Sequence, residues 1–480
     1  MQLDNSVAAL VSFAVDPILF PKIAMLYDAE QGQVTLALCG DIMPSRRLAV
    51  FREPKFLELR EVLKGADACF ANLESMVVHY GEGSPAIRTG THMVTEPQLL
   101  EDLNWFGFNL LSCANSHSLN FGEEGLLLQN RYLDTAGIVH AGTGDNLRQA
   151  SSPAYLDTPN GRVALIAATA HLPSSQNRAG NQRIDFRGKP GVNGLGFETT
   201  FIVDQASFAA LKLLGARFGF DRQRQRVVDH GFHTASEIGS SDAIQYNYRG
   251  DRYQLGETFD IRTSCNEDDV AENLRQIREA RRQADWVIVS LHNQDMIGKS
   301  WLTAQKRTEI TEQPEFVQDF AHRCIDAGAD TFAGHGPHIL MGVEIYRGRP
   351  IFYSLGNLIM QNETLRHIPA HPMERFGLDP RSTPSDFFDM RTVNGTKGHP
   401  ASPEFWQSIV AVCRFEKQGL RKIELFPVDL GFGRPRAQRG RPLLADEQLG
   451  KIILDRLGGM SERFGTRIEQ VNGRGLIRAA

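Results

Sequence analysis

The chain has 480 residues, 41% of them hydrophobic and 23% charged, with a formal net charge of −5. That is the composition of a folded protein with a sizeable core. The mild acidic balance argues against nucleic acid or an anionic membrane as partner.

Residues 1–33 read as a lead-in whose first half suits a short docked helix. Their opening, MQLDNSVAALVSFAVDPILF, lacks a basic region, and Asp16 and Pro17 break its apolar run. It does not resemble a signal peptide, and no stretch reaches transmembrane length, so a cytoplasmic protein is expected. VTLALCGDIM (34–43) is a buried-strand pattern, ADACFANLES (66–75) a second, and FNLLSCANSHSLNFG (108–122) a third. Residues 96–106 and 122–137 read as helices, and IVHAGTG (138–144) returns as a strand. Strand and helix alternate with short connections, which implies an α/β architecture.

RVALIAATA (162–170) continues the sheet, and residues 171–198 read as a loop. Residues 199–262 break the pattern and read as an insertion over one face. A helix at 267–284, the strand DWVIVSLHNQDM (285–296) and a helix at 314–328, with Pro314 at its start and Gly328 at its end, resume it. Residues 361–406, rich in Pro, His, Arg and Asp, read as a surface segment or lid. Residues 407–480 supply a hairpin around Gly419 and a terminal helix at 451–465, completing the domain that 34–360 begins. The six cysteines form no C-x-x-C pair and sit mostly in apolar runs, so free buried thiols are expected.

Five apolar runs end, at their carboxyl ends, in groups that bind metals or move protons. These are Asp41, Glu74, the Asn115–Ser116–His117 turn, His292, and His335 with His338. In α/β sheets ligand sites form beyond the carboxyl ends of the strands. Carboxylate oxygen with imidazole nitrogen suits Zn, Mn or Fe. Without metal the same groups can do acid–base work near neutral pH. For His335 and His338 alone, helix capping and packing beside Pro337 remain an alternative.

The segments GDIMPSR (40–46), NLE (72–74), ANSHSLNFGEEGL (114–126), GTG (142–144), SLHNQD (290–295) and GHGPHILMGVEIYRGRPIFYSLGN (334–357) resemble successive motifs of the CapA/PgsA-type capsule proteins, the poly-γ-glutamate synthesis family. The resemblance implies a calcineurin-like metallophosphoesterase fold, a four-layer α/β/β/α sandwich, here with long insertions. It implies a role in making, exporting or trimming an anionic capsule polymer. It puts Asp41, Glu74, His292, His335 and His338 on a metal site and gives His117 the part of the acid. Arg46, Asn72, Asn115 and Glu344 take supporting roles, while turn and strand-end hydrogen bonding is an alternative for Glu344 and the better reading for Asn357.

The chain departs from the family pattern at four points. Ser116 stands where the family has a second Asn, Asn120 where it has Asp, and Gly336 where it has His; Met43 occupies a position where two-metal phosphoesterases have His. Each change removes a ligand or a charge, so one divalent ion is expected rather than two.

Three readings follow. In the first, a metal-dependent hydrolase or transferase acts on an anionic polymer or its precursor. In the second, the site holds no metal and His338 or His335 with Asp41 does acid–base chemistry on a peptide α-carbon, as in CapA-like epimerases. In the third, the chain is a non-catalytic polymer-binding subunit, with loop arginines such as Arg46, Arg47, Arg88, Arg178 and Arg183 lining a cleft.

Overall fold

The apolar strand runs assemble into two stacked sheets in a computed structural model that describes residues 32–88, 90–234, 238–239, 241–416 and 419–478. The lead-in helix expected before residue 32 lies outside the described residues.

In the first sheet Val34–Met43 lies beside Ala68–Leu73, followed by Leu110–Ser112 and Val139–Ala141, all parallel. On its other side the antiparallel hairpin Gln407–Glu416 and Gly419–Asp429 extends the sheet to Arg474–Arg478 and Glu469–Val471. Pairing with Gln407–Glu416 stops at Leu38. From Asp41 onward the end of Val34–Met43 pairs instead with Asn357–Met360 in parallel, with a register shift between Asp41 and Ile42. The second sheet runs Val343–Tyr346, Arg349–Phe352, Thr331–His335, Trp286–His292, Gly161–Thr169 and Ala154–Thr158. Its four middle strands are parallel.

Strand alternation sends successive side chains to opposite faces. Leu36, Leu38, Phe70, Leu165, Ile288 and Phe352 fill the space between the sheets. Ala37, Cys39, Cys69, Ile166, Val287 and Phe332 pack with helix residues such as Phe56, Leu103, Val270, Phe316 and Phe320. Each fully buried Leu, Ile or Phe contributes about 1.5–3 kcal/mol. Helices outside two stacked sheets give the expected four layers. The helix Glu447–Ser461 adds Ile453, Leu454 and Leu457 to the inter-sheet core. All six cysteines are free and buried.

One glycine permits the sheet junction that carries the site. A Cβ on Gly40 would lie 1.9 Å from the Gly356 carbonyl oxygen. With no side chain there, the Asp41 N–H donates to that same oxygen at 2.9 Å, which fixes the end of the strand.

Residues 197–265 form a separate four-stranded sheet with the helices Gln205–Phe218 and Phe220–Asp229 around Val203, Phe208 and Tyr246. Residues 361–406 are more ordered than their composition suggested. They carry the helices Ala370–Arg375 and Pro384–Thr392, the second opened by a reciprocal Thr383–Asp386 cap and anchored by buried Phe387 and Phe388. No helix among the described residues is long and apolar enough to cross a membrane.

Candidate metal centre

The carboxyl ends of the parallel strands of both sheets meet at one end of the sandwich. Asp41 comes from the last residues of the strand Val34–Met43, and Glu74 follows Ala68–Leu73. The Asn115–His117 turn follows Leu110–Ser112, and His292 and His335 close their strands in the second sheet. All are buried, as is His338 in the turn after His335.

His335 Nδ1 lies 3.3 Å from Asp41 Oδ1, and His338 Nδ1 lies 3.3 Å from Asp41 Oδ2 and 3.4 Å from Glu74 Oε2. His292 Nδ1 is 3.2 Å from His335 Nδ1, and its Nε2 is 3.5 Å from Glu74 Oε1. Donor atoms therefore converge in two sets, Asp41 with His292 and His335, and Asp41 with Glu74 and His338. Asp41 is common to both and turns one oxygen toward each.

A surrounding layer of hydrogen bonds orients these groups. Asn115 Nδ2 donates to Asn72 Oδ1 at 3.1 Å, which turns Asn72 Nδ2 to donate to Asp41 Oδ1 at 2.8 Å. The Gly336 N–H donates to Asp41 Oδ2 at 3.1 Å. Gly336 has φ +107°, and a Cβ there would meet the Asn293 backbone at 2.9 Å, so the tight turn between the two histidines has no room for a larger residue in this geometry. Ser290 Oγ lies 2.7 Å from His335 Nε2 and orients that ring. Gln294 Nε2 donates to Glu74 Oε1 at 3.0 Å and to Ser116 Oγ at 3.1 Å. His338 sits at φ +64°, an uncommon conformation for a side-chain-bearing residue. Asn357 holds it there: Oδ1 accepts from His338 Nδ1 at 2.9 Å, while Nδ2 donates to the His338 carbonyl at 3.1 Å and the Phe405 carbonyl at 3.0 Å.

The electrostatics follow from crowding charge in a dry place. Burial opposes ionisation of Asp41, yet hydrogen bonds to His335 and His338 hold its carboxyl well below the usual range. Burial and the Asp41 charge push Glu74 up to about 8. Burial works against charge on His338 as well, but Glu74 and Asp41 raise it to about 9. Burial, then His335, keeps His292 well below the ordinary imidazole value.

A divalent ion fits this set. Glu74 Oε2 and His292 Nε2 are buried with no hydrogen-bond partner, an arrangement that costs about 1–3 kcal/mol per group unless something ligates it. The donors are carboxylate oxygen and imidazole nitrogen, the ligands of Zn, Mn and Fe.

The family model described as bacterial capsule synthesis protein PGA_cap matches residues 35–362. The chain belongs to this family. It is 34% identical to the Sinorhizobium fredii protein y4sH over 456 residues, 92% of this chain and 93% of that one. It is 39% identical over 332 residues to the PGA biosynthesis protein CapA of Bacillus subtilis, 68% of this chain and 63% of that protein. It is 26% identical over 293 residues to a probable polyglutamine synthesis accessory protein of Mycobacterium tuberculosis, 61% of this chain and 55% of that protein. The stacked sheets are the metallophosphoesterase-like architecture of this capsule-synthesis family.

Of the residues expected at the site, the structure brings together Asp41, Asn72, Glu74, Asn115, His117, His292, His335 and His338. Two expected supporting residues point elsewhere. Arg46 Nη1 donates to the Ala437 carbonyl at 2.6 Å and Nη2 to that of Arg439 at 3.1 Å, tying down a loop. Glu344 lies on an outer strand of the second sheet, bonded to His322 at 3.0 Å and to the Tyr353 hydroxyl. Asn357, expected to make turn and strand-end hydrogen bonds, makes them to the turn that carries His338.

Among the loop arginines, Arg47, Arg178 and Arg183 pair with Asp102, Asp269 and Asp185; Arg88 reaches the Ser116–Asn120 turn. Gln294 and Ser290 were missed, although both flank His292 in the SLHNQD segment.

Proposed function

We propose that this capsule-synthesis family member is a metal-dependent hydrolase or transferase acting on an anionic polymer or its precursor. The observation that carries the reading is the pair of buried donor sets that share Asp41 and leave Glu74 Oε2 and His292 Nε2 without a hydrogen-bond partner. Asp41, His292 and His335 would hold one ion. A carboxylate with an oxygen toward each set suits a second ion at Glu74 and His338, beyond the one ion that the departures from the family pattern suggested.

A bound ion of this kind polarises a phosphoryl or acyl oxygen and lowers the pKa of water. The chain's own groups do the rest. Asn72, itself set by Asn115, and the Gly336 N–H orient Asp41, and His335 and His338 favour its ionised form. Gln294 and Ser116 orient Glu74. His117 Nε2 lies 3.9 Å from Glu74 Oε1, on the side of the cluster reached from the Asn115–His117 turn. The relatives named for capsule or PGA biosynthesis support a polyanionic, γ-glutamyl-type substrate.

The geometry disfavours acid–base chemistry on a peptide α-carbon by the pairs considered. Two bases acting on opposite faces of a carbon must stand apart to admit it, whereas His335 and His338 each touch Asp41 at 3.3 Å. The test is turnover of poly-γ-glutamate, short γ-glutamyl peptides and model phosphoesters by protein stripped with chelator and then reloaded with Mn, Zn or Fe. Cleavage or transfer that is lost on stripping, restored by metal and absent in His335→Ala is expected. Turnover indifferent to chelation would refute the proposal.

A further inference from the structure

The Arg88 guanidinium does not face the metal donors directly, and nothing above uses it. Its Nη1 donates to the Ser116 carbonyl at 2.7 Å and to Asn120 Oδ1, and lies 3.5 Å from His117 Nδ1. A guanidinium has no acceptor. The oxygen of the Asn120 amide must therefore face Arg88, and this leaves the amide nitrogen toward His117, 2.9 Å from Nδ1. An amide nitrogen has only hydrogens to offer, so His117 Nδ1 must accept. Two donors thus converge on one ring nitrogen, with no room for a proton between them. The ring's hydrogen is left on Nε2, the atom 3.9 Å from Glu74 Oε1.

We infer that Arg88 is a positioning residue which, acting through the Asn120 amide, fixes His117 as a neutral imidazole with its single N–H on Nε2. The functional consequence rests on the proposed hydrolase or transferase activity. His117 then acts as a preorganised hydrogen-bond donor to charge developing on the reacting group, not as an imidazolium held by a carboxylate. Asn120 is integral to this arrangement. An aspartate there would accept at Nδ1 and draw the hydrogen to the opposite side of the ring.

The tautomer is readable without metal, substrate or turnover, so its outcome is separate from that of the hydrolase reading. The full chain, labelled with ¹⁵N-histidine and kept in chelator at mildly alkaline pH, is studied by long-range ¹H–¹⁵N correlation, with His117→Gln supplying the assignment. Native protein is expected to show protonated Nε2 and bare Nδ1, in about tenfold or greater excess over the other form, the ratio one well-made hydrogen bond supports. Asn120→Asp is expected to move the hydrogen to Nδ1. Arg88→Met is expected to reduce the excess several-fold, with Arg88→Lys restoring part of it. Protonated Nδ1 in native protein would overturn the inference. So would a folded Arg88→Met with the native ratio. If Arg88→Met does not fold, the Asn120→Asp arm decides, and an unmoved hydrogen there overturns the inference too.

Discussion

Glu74→Gln separates the cost of the buried acid from its use. Glu74 is fully buried, and burial with the Asp41 charge raises its pKa from 4.5 to about 8. Between pH 4.5 and pH 7 the unfolded side chain sheds its proton while the folded one keeps it. The folded state therefore loses stability as pH rises through that window, by up to about 3 kcal/mol at 1.36 kcal/mol per pH unit. Glutamine has the shape of the protonated acid and cannot ionise. It also retains an oxygen for the Gln294 amide, which donates to Glu74 Oε1 at 3.0 Å.

In chelator at pH 7, Glu74→Gln should thus be more stable than native protein by roughly 1–3 kcal/mol, with the difference closing near pH 4.5. Added metal should invert the order. An ion at 100 times its dissociation constant stabilises native protein by about 2.7 kcal/mol, and the variant, short of one carboxylate ligand, should gain much less. Urea unfolding of both proteins at pH 5 and pH 7, with chelator and with Mn or Zn, measures all of this. A Gln variant less stable than native in chelator, with an undiminished response to metal, would refute the reasoning.

Asn357→Ala removes the acceptor of His338 Nδ1 and the donor to the carbonyls of His338 and Phe405. It should cost about 2–4 kcal/mol in chemical unfolding and weaken metal uptake, whereas Glu344→Gln should leave metal uptake unchanged. Gly40→Ala places a Cβ 1.9 Å from the Gly356 carbonyl oxygen, which should cost about 3 kcal/mol or more and show as insoluble or thermally weakened protein. Metal binding at pH 7 should release protons, because Glu74 and His338 hold theirs up to about 8 and about 9 and ligands bind ions deprotonated. Calorimetry in buffers of different ionisation heat should find proton release that declines as pH rises past 9.

The chain's periodicity disclosed the site because chemistry and topology coincide at strand ends. Val34–Met43 was read at its observed bounds, and Asp41, Glu74, His292, His335 and His338 each follow an apolar run that forms a parallel strand. Parallel strands buried on both faces read as continuous apolar runs, and their carboxyl ends gather at one edge.

Side-chain direction was harder to read. Glu344 sits in a Val-Glu-Ile-Tyr strand whose Val343 faces the inter-sheet core, so strand alternation alone sends Glu344 outward. Turn hydrogen bonding by Asn357 was legible, but its partner, a left-handed His338, is fixed only once the turn has folded. The Arg88–Asn120–His117 arrangement depends on contacts 28 to 32 residues apart, beyond any local pattern. Two local signals were legible and overlooked. Thr383-Pro-Ser-Asp386 is a helix cap, and Asn472-Gly473, with φ of +50° and +74°, is the tight turn of the final hairpin.

The most direct measurement is the metal content of the chain purified without a histidine tag, beside Asp41→Ala and His335→Ala. The account predicts about one to two equivalents of Mn, Zn or Fe in native protein, retained on gel filtration and lost in both variants. Native protein that holds no metal and binds none when Mn, Zn or Fe is supplied would contradict it.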